Sequence, residues 1–269
     1  MGQQFDVIQQ EESSMRGING KVVIVTGGAG GIGSAICRRF GEDGAAVAVL
    51  DINREAAAAV AAEIQAKGGK ARAFAVDLTS QDSVITAVTA VEAEVGPVDV
   101  LVNNAGWDKV GNFLDTEKPL WDKIVAINLY GALYMHHAVV KGMRERGHGR
   151  VINVASDAGR VGSSGEAVYS FCKGGLISFS KTLAREVARQ QININVVCPG
   201  PTDTPLLDDI CGEGERGEKL RTAFTRAVPF GRLGQPGDLP GAVAFLASDD
   251  AAFITGQVIS VSGGLTMAG

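Results

Sequence analysis

From Lys21 onward, short runs of unbroken apolar residues alternate with longer stretches in which apolar positions recur every three or four residues. The short runs fall at 22–26, 46–51, 71–77, 100–103, 151–155, 194–198 and 257–261. They are continuous rather than alternating, which predicts strands covered on both faces, as in a parallel sheet. The longer stretches at 54–67, 83–95, 121–146, 168–190 and 239–247 read as helices. Strands that alternate with helices imply βαβ crossovers, so the expected class is α/β, a single-domain doubly wound sheet over residues 20–269. Residues 1–19 are polar, rich in Gln and Glu and without periodicity. They are expected to form a flexible N-terminal extension, with Met15 a possible alternative start. No internal repeat, Pro-rich linker or long charge block divides the rest.

Composition narrows the chemistry. A chain of 269 residues can bury a substantial core, and 36 glycines point to tight turns and close helix–sheet packing. The net charge of -5 offers no basic footprint for nucleic acid or an anionic membrane surface. Cys37, Cys172, Cys198 and Cys211 show no paired spacing, which fits a reducing compartment. The three histidines, His136, His137 and His148, form no ligand pattern, so no metal is expected. No run of 18 apolar residues occurs, and the N-terminus lacks a basic segment followed by an apolar one. Asp6 stands where a myristoylation signal would want Ser or Thr. A cytoplasmic enzyme acting on a small molecule is the expectation.

Two groupings carry that chemistry. Gly27-Gly28-Ala29-Gly30-Gly31-Ile32-Gly33 follows the first strand and opens the first helix. Glycines there let backbone N–H groups approach a pyrophosphate at the positive end of a helix. Asp51 ends the second strand 24 residues after Gly27, where a carboxylate would accept from adenosine ribose hydroxyls and repel a 2′-phosphate. NAD is therefore favoured over NADP, although Arg54 stands nearby. Asp77, with Leu78 after it, either reaches the adenine edge or caps the following helix. The second grouping is Tyr169 and Lys173, four apart, with Ser156 thirteen residues upstream. On a helix this spacing sets phenol and ammonium on one face, where the cation favours the phenolate. A Tyr near its free pKa of about 10 is otherwise a poor base at neutral pH.

These residues, with Asn103-Asn104-Ala105-Gly106, Asn128 and Pro199-Gly200, make the chain resemble the short-chain dehydrogenases/reductases over its whole length from Lys21. The resemblance implies a Rossmann-like sheet of seven parallel strands and a homotetramer. It implies Tyr169 as the proton-transfer residue, Lys173 as the group that lowers the Tyr pKa and holds the nicotinamide ribose, and Ser156 as the binder of the substrate oxygen. Asn128 would hold a water that links Lys173 to solvent. Asn104 and Gly106 would line the cofactor with Ala105 between them, and Thr202 and Thr204 would lie near the nicotinamide amide or the pyrophosphate.

The stretches 104–108, 156–166, 198–204 and 261–269 look closer to one group within the family. They are similar to the dehydrogenases of 2-hydroxycyclohexanecarboxyl-CoA and of free hydroxycyclohexanecarboxylates, enzymes of alicyclic acid degradation. The expected reaction is NAD-dependent oxidation of a ring secondary alcohol to the ketone. A 3-oxoacyl-thioester reductase or another cyclic alcohol dehydrogenase is the alternative, the reductase disfavoured by Asp51 because that task normally draws on NADPH; an NAD-binding sensor protein is the non-enzymatic one. Trp107 either packs a face on an alicyclic ring or covers core. Arg160 either meets a carboxylate or thioester oxygen or makes an ordinary ion pair. Residues 206–228, glycine-containing and nearly balanced in charge, read as a mobile lid.

Overall fold

Seven strands hydrogen-bond into one parallel sheet: β1 Val22–Thr26, β2 Ala46–Asp51, β3 Lys70–Ala75, β4 Val100–Asn103, β5 Gly149–Val154, β6 Ile192–Pro199 and β7 Val258–Val261. Their spatial order is β3-β2-β1-β4-β5-β6-β7. The computed structural model describes residues 15–268. Ten α-helices connect the strands: α1 Gly31–Glu42, α2 Arg54–Ala66, α3 Gln81–Glu94, α4 Lys118–Val125, α5 Gly131–Arg146, α6 Ala158–Val161, α7 Ala167–Val187, α8 Pro205–Cys211, α9 Gly214–Ala227 and α10 Pro240–Ala247.

The unbroken apolar strands are explained by two cores. Along β1, Val23 and Val25 point into a cluster with α1, α2 and α10, through Ile36, Phe40, Val60 and Val243. Ile24, between them, points to the opposite face against α3, α5 and α7, through Val88, Met135, Val139 and Ala184. Successive side chains leave a strand on opposite faces, so a strand covered on both has no polar position to alternate with. β1 pairs with both β2 and β4. The chain therefore leaves the sheet centre in two directions, and the C-terminal ends of β1 and β4 flank the crevice where ligands bind in such sheets.

Three expectations are corrected here. The 121–146 segment is not one helix, because α4 and α5 are joined by a π-helical turn, Ala126–Tyr130, that holds Asn128. One widened turn of this kind re-aims the side chains around it. β3 stops at Ala75 rather than running to 77, since the Asp77 carboxylate accepts from both the amide (2.9 Å) and the hydroxyl (2.7 Å) of Thr79 and turns the chain. The N-terminal extension does not reach residue 19. Ile18 is wholly buried in the core, the Arg16 carbonyl accepts from Asp249 N at 2.9 Å, and Arg16 Nε donates to Asp250 at 2.6 Å. Apolar side chains as scattered as those of this stretch show no period that would betray a buried one. Residues 1–14 of that extension lie outside the described residues.

Because Ile18 closes one end of the core, Ile18→Ala is expected to cost about 3 kcal/mol of stability by denaturant unfolding. A loss below 0.5 kcal/mol would mean that residues 15–19 are not packed in solution.

Candidate active site

The glycine loop meets the sheet at the switch point. Gly27 has a φ of +61°, and a side chain there would strike Ala105. A Cβ on Gly33 would stand 2.0 Å from the Gly27 carbonyl, so the helix packs on the turn only if residue 33 is glycine. No side chain caps α1. The N–H groups of its first turn are left for an outside acceptor, at the end of the helix that favours negative charge. Thr26 Oγ1 accepts from Asn104 N (3.0 Å) and Ala105 N (3.2 Å), and Asn104 Nδ2 donates back to Thr26 O and Gly27 O. Thr204 caps α8 and lies against Gly31, and Thr202 Oγ1 donates to Gly200 O at 2.9 Å.

All of these open onto one cavity of about 780 Å³. Gly27, Gly31, Ile32, Gly33, Asp51, Asp77, Leu78, Asn104, Ala105, Gly106, Pro199, Gly200, Thr202 and Thr204 line it, together with Ser156, Tyr169 and Lys173. The residues expected at the cofactor thus converge. Asp51 accepts from Ala29 N (3.1 Å) and Asn53 N (3.0 Å), and no cation pairs with it among the described residues. The basic side chains lining the cavity are Lys123 and Lys173; Arg54 is exposed on α2 and is not part of the wall. An uncapped glycine-bounded helix end and a carboxylate at the end of β2, opening on one cavity, fit a dinucleotide cofactor.

At the other end, α7 presents Tyr169 and Lys173 one turn apart. Lys173 is buried, its Nζ donates to the Val154 carbonyl at 3.1 Å, and it lies 5.5 Å from the centre of the Tyr169 ring. Close packing sets its position: a Cβ on Gly159 of α6 would stand 2.7 Å from Gly174 N and from Lys173 C. Burial brings the Lys173 ammonium down to about 8. The expected lowering of the phenol by Lys173 is not what the structure shows. Burial pushes the Tyr169 phenol above its ordinary range, Glu166 and Asp108 push it further, and the Ser156 hydroxyl opposes them. The ammonium is itself desolvated and held by a backbone carbonyl, so burial of the phenol outweighs it.

Asn128 sits in the π turn with its amide committed to backbone. Nδ2 donates to Trp107 O (2.6 Å) and Ile124 O (2.9 Å), and Oδ1 accepts from Trp107 N at 3.3 Å. It therefore holds the loop after β4 in place. A Cβ on Gly106 would stand 3.0 Å from Asn128 Oδ1 and 3.3 Å from Lys173 Nζ, so the glycine keeps that approach open.

The substrate end departs most from expectation. Arg160 does not reach the cavity. Its guanidinium donates to Ser260 Oγ (2.8 Å) and to the Ala268 carbonyl, because α6 is one short turn whose outer side faces β7 and the C-terminal segment. Trp107 lines the cavity, but the Lys123 ammonium covers one face of its ring, 3.7 Å from the centre. Within the segment read as a lid stand two helices, α8 and α9, which supply Leu206, Leu207, Ile210 and Phe224 to the wall, with Val161 and Leu265 beside them. Four charged lining residues had no role assigned from the sequence: Lys123, and Asp108, Asp157 and Glu166, which stood there only inside the stretches 104–108 and 156–166. Their charges lie on separate loops and helices, and only the order of the sheet brings them together.

Sheet order, glycine loop and the Ser156, Tyr169, Lys173 grouping together define a nicotinamide-dependent oxidoreductase. A family model described as enoyl-(acyl carrier protein) reductase matches residues 16–266, and the chain belongs to the short-chain dehydrogenase/reductase family. It is 39% identical over 246 residues to nodulation protein G of Azospirillum brasilense, covering 91% of this chain and 98% of that protein. It is 37% identical over 248 residues to 3-oxoacyl-(acyl-carrier-protein) reductase of Escherichia coli, covering 92% and 98%. An uncharacterized oxidoreductase of Bacillus subtilis is 36% identical over 252 residues, covering 92% of each. Membership makes this chain an enzyme that acts on an alcohol or ketone. Among the described residues no helix is long and apolar enough to cross a membrane.

The buried ammonium has a cost that stability measurements can read. Below about pH 8 the folded chain carries a charge that burial disfavours; the penalty shrinks as pH rises from 8 to 10.5, where the unfolded side chain also loses its proton. Lys173→Met is therefore expected to raise stability by about 2 kcal/mol at pH 7 while turnover is lost. The difference should close toward pH 10.5. A variant less stable than wild type at pH 7 would show that Lys173 is not under strain.

Proposed function

We propose that this enzyme interconverts a secondary alcohol and its ketone on an acyl substrate of the 3-oxoacyl thioester class, with NAD(H) as cofactor. The observation that carries the chemistry is the meeting of Ser156, Tyr169 and Lys173 with the glycine loop and Asp51 in one cavity. The names of the relatives support the acyl class: 3-oxoacyl-(acyl-carrier-protein) reductases recur at 34–37% identity. Arg160, the group that would have received a free carboxylate, is engaged elsewhere. This favours a substrate whose acyl group is neutral.

The nicotinamide supplies or accepts hydride when it is bound. Ser156 holds the substrate oxygen and steadies the negative charge that builds on it during reduction. Tyr169 gives that oxygen its proton, or removes it in the opposite direction. Lys173 holds positive charge beside the reacting groups, and Asn128 keeps the loop after β4 against them. With the cofactor bound, Asp51 would receive the adenosine ribose hydroxyls, and Asp77 and Leu78 would border the adenine.

A second reading is a ring alcohol bearing a carboxyl or acyl-CoA group, such as a hydroxycyclohexanecarboxylate or its thioester. The apolar wall of Val161, Leu206, Ile210, Phe224 and Leu265 favours it, since such a surface suits an alicyclic ring.

Initial rates with NAD(H) and NADP(H) on a 3-oxoacyl thioester, a hydroxycyclohexanecarboxylate and its CoA thioester separate the readings. The thioester should be turned over at least tenfold better than the free acid, and NAD(H) preferred. Faster turnover of ring substrates alone would sink the linear acyl reading. Tyr169→Phe should lower kcat about 10³-fold with cofactor affinity retained. Asp51→Ala should raise the KM for NAD about tenfold and narrow the gap to NADP; an unchanged ratio would remove Asp51 from cofactor choice.

A further inference from the structure

Asp108 is buried beside the cavity in a state that one carboxylate cannot comfortably hold. It follows the 104–107 loop and is 4% exposed; the Lys109 amide approaches its carboxylate but leaves both oxygens without a full hydrogen bond. A buried charge with so little donation is expensive. Glu166, the residue that opens α7, gives its helix no side-chain cap. Asp108 and Glu166 together line the main cavity and a second hollow of about 10 Å³ behind it, with room for about one water.

The charged and titratable groups around Asp108 are Glu166, Tyr169, Cys172 and Lys173 on α7 and its neighbour Lys109. None of the nearby cations neutralises it directly. Lys173 Nζ is bound to Val154 O, Lys123 lies on Trp107, and Arg160 is held by Ser260. Two neighbouring carboxyl groups with no cation between them do not both ionise readily, whereas one proton between them satisfies both. Burial, opposed by the Lys109 amide and the Lys173 charge and reinforced by Glu166, pushes the Asp108 acid up to about 7. Glu166 stands one helical turn before Tyr169, so the charge left on the pair lies on the same side of α7 as the phenol.

We propose that Asp108 and Glu166 share one proton and act as a positioning pair that keeps Tyr169 protonated, so that at neutral pH the enzyme is set to give a proton to a ketone oxygen. This rests on the reading of Tyr169 as the proton-transfer residue. In that direction the phenol O–H bond breaks as the substrate O–H bond forms, and the phenolate then regains a proton from water. The negative charge of the pair makes the phenolate costly and hastens its reprotonation. The equilibrium between alcohol and ketone is untouched; what changes is the pH at which each direction runs.

The test begins on the full chain without substrate or cofactor. Carbon-13 NMR of protein labelled in its aspartate carboxyl groups should show one resonance titrating near pH 7. It should be absent in Asp108→Asn and move down by about one pH unit in Glu166→Gln, where the like charge is gone. The pH–rate profile follows, with whichever secondary alcohol is turned over, cyclohexanol first. Above pH 7 the wild-type pair has lost its shared proton and carries two charges against one in either variant, so in both variants the acid limb of oxidation should move about one unit lower, and the alkaline limb of reduction should move with it. Glu166 is only partly buried, so Glu166→Gln is informative even if Asp108→Asn folds poorly. An Asp108 resonance titrating near the ordinary value of about 4 overturns the proposal. So do rates that fall equally at every pH with both limbs fixed. Because the NMR titration needs no substrate, it fails or succeeds independently of the acyl assignment.

Discussion

The buried hydroxyl of Thr26 ties together the two halves of this molecule. It accepts from Asn104 N and Ala105 N, while the Asn104 amide returns hydrogen bonds to Thr26 O and Gly27 O. The ends of β1 and β4 are thereby stitched across the switch point, where a parallel sheet would otherwise leave orphaned backbone groups at the mouth of a crevice. The glycine loop takes its place from this link, since Gly27 is pressed against Ala105 with no room for a side chain. From Ala105 the chain passes to Gly106 and Trp107, which Asn128 holds from the π turn, and beyond them lies Lys173. The cofactor end and the proton-transfer end of the cavity are thus parts of one hydrogen-bonded assembly.

Beneath the cavity the core carries polar groups that a purely stabilising design would omit. Asn103 Nδ2 donates to Asn153 Oδ1 (2.9 Å), Asn153 Nδ2 donates to Ser180 (2.8 Å), and His136 lies between them, wholly buried. Burial brings the His136 ring down to about 4, so it is neutral at physiological pH, and the fold loses stability as pH falls from 6.5 toward 4, where the unfolded ring takes up a proton first. This network joins β4 and β5 to α5 and α7, the helix that presents Tyr169 and Lys173. With the strained ammonium of Lys173 and the unsatisfied carboxyl of Asp108, it shows stability given up near the site, as expected where charge must be held ready.

Much of the frame was legible in the residues. β1, β2 and β4 begin and end where their apolar runs do, because Gly, Asn or Asp closes each run. The glycine loop could be recognised since only glycines permit that turn and that approach of helix to strand. What misled was direction. Arg160 sits four residues after Ser156, yet the short α6 turns it toward Ser260 and the C-terminal segment. The 121–146 pattern stays helical in period although its middle widens into a π turn, which period alone cannot register. Ile18 is flanked by Gly17 and Asn19 in a stretch too short to show a period, and it joins a core cluster drawn from distant parts of the chain.

By itself the sequence determined the alternation of strand and helix, the phosphate-binding turn, the acidic residue at the end of β2, and the one-turn spacing of Tyr169 and Lys173. All of these depend on neighbours within a few residues, where backbone geometry and side-chain period are enough. Only the tertiary structure decided that Lys173 is buried against Val154, that Arg160 leaves the cavity, and that Asp108 and Glu166 line the same cavity as the phenol. Those outcomes depend on which surfaces the sheet order brings into contact, and on how much water remains around each charge once it has done so.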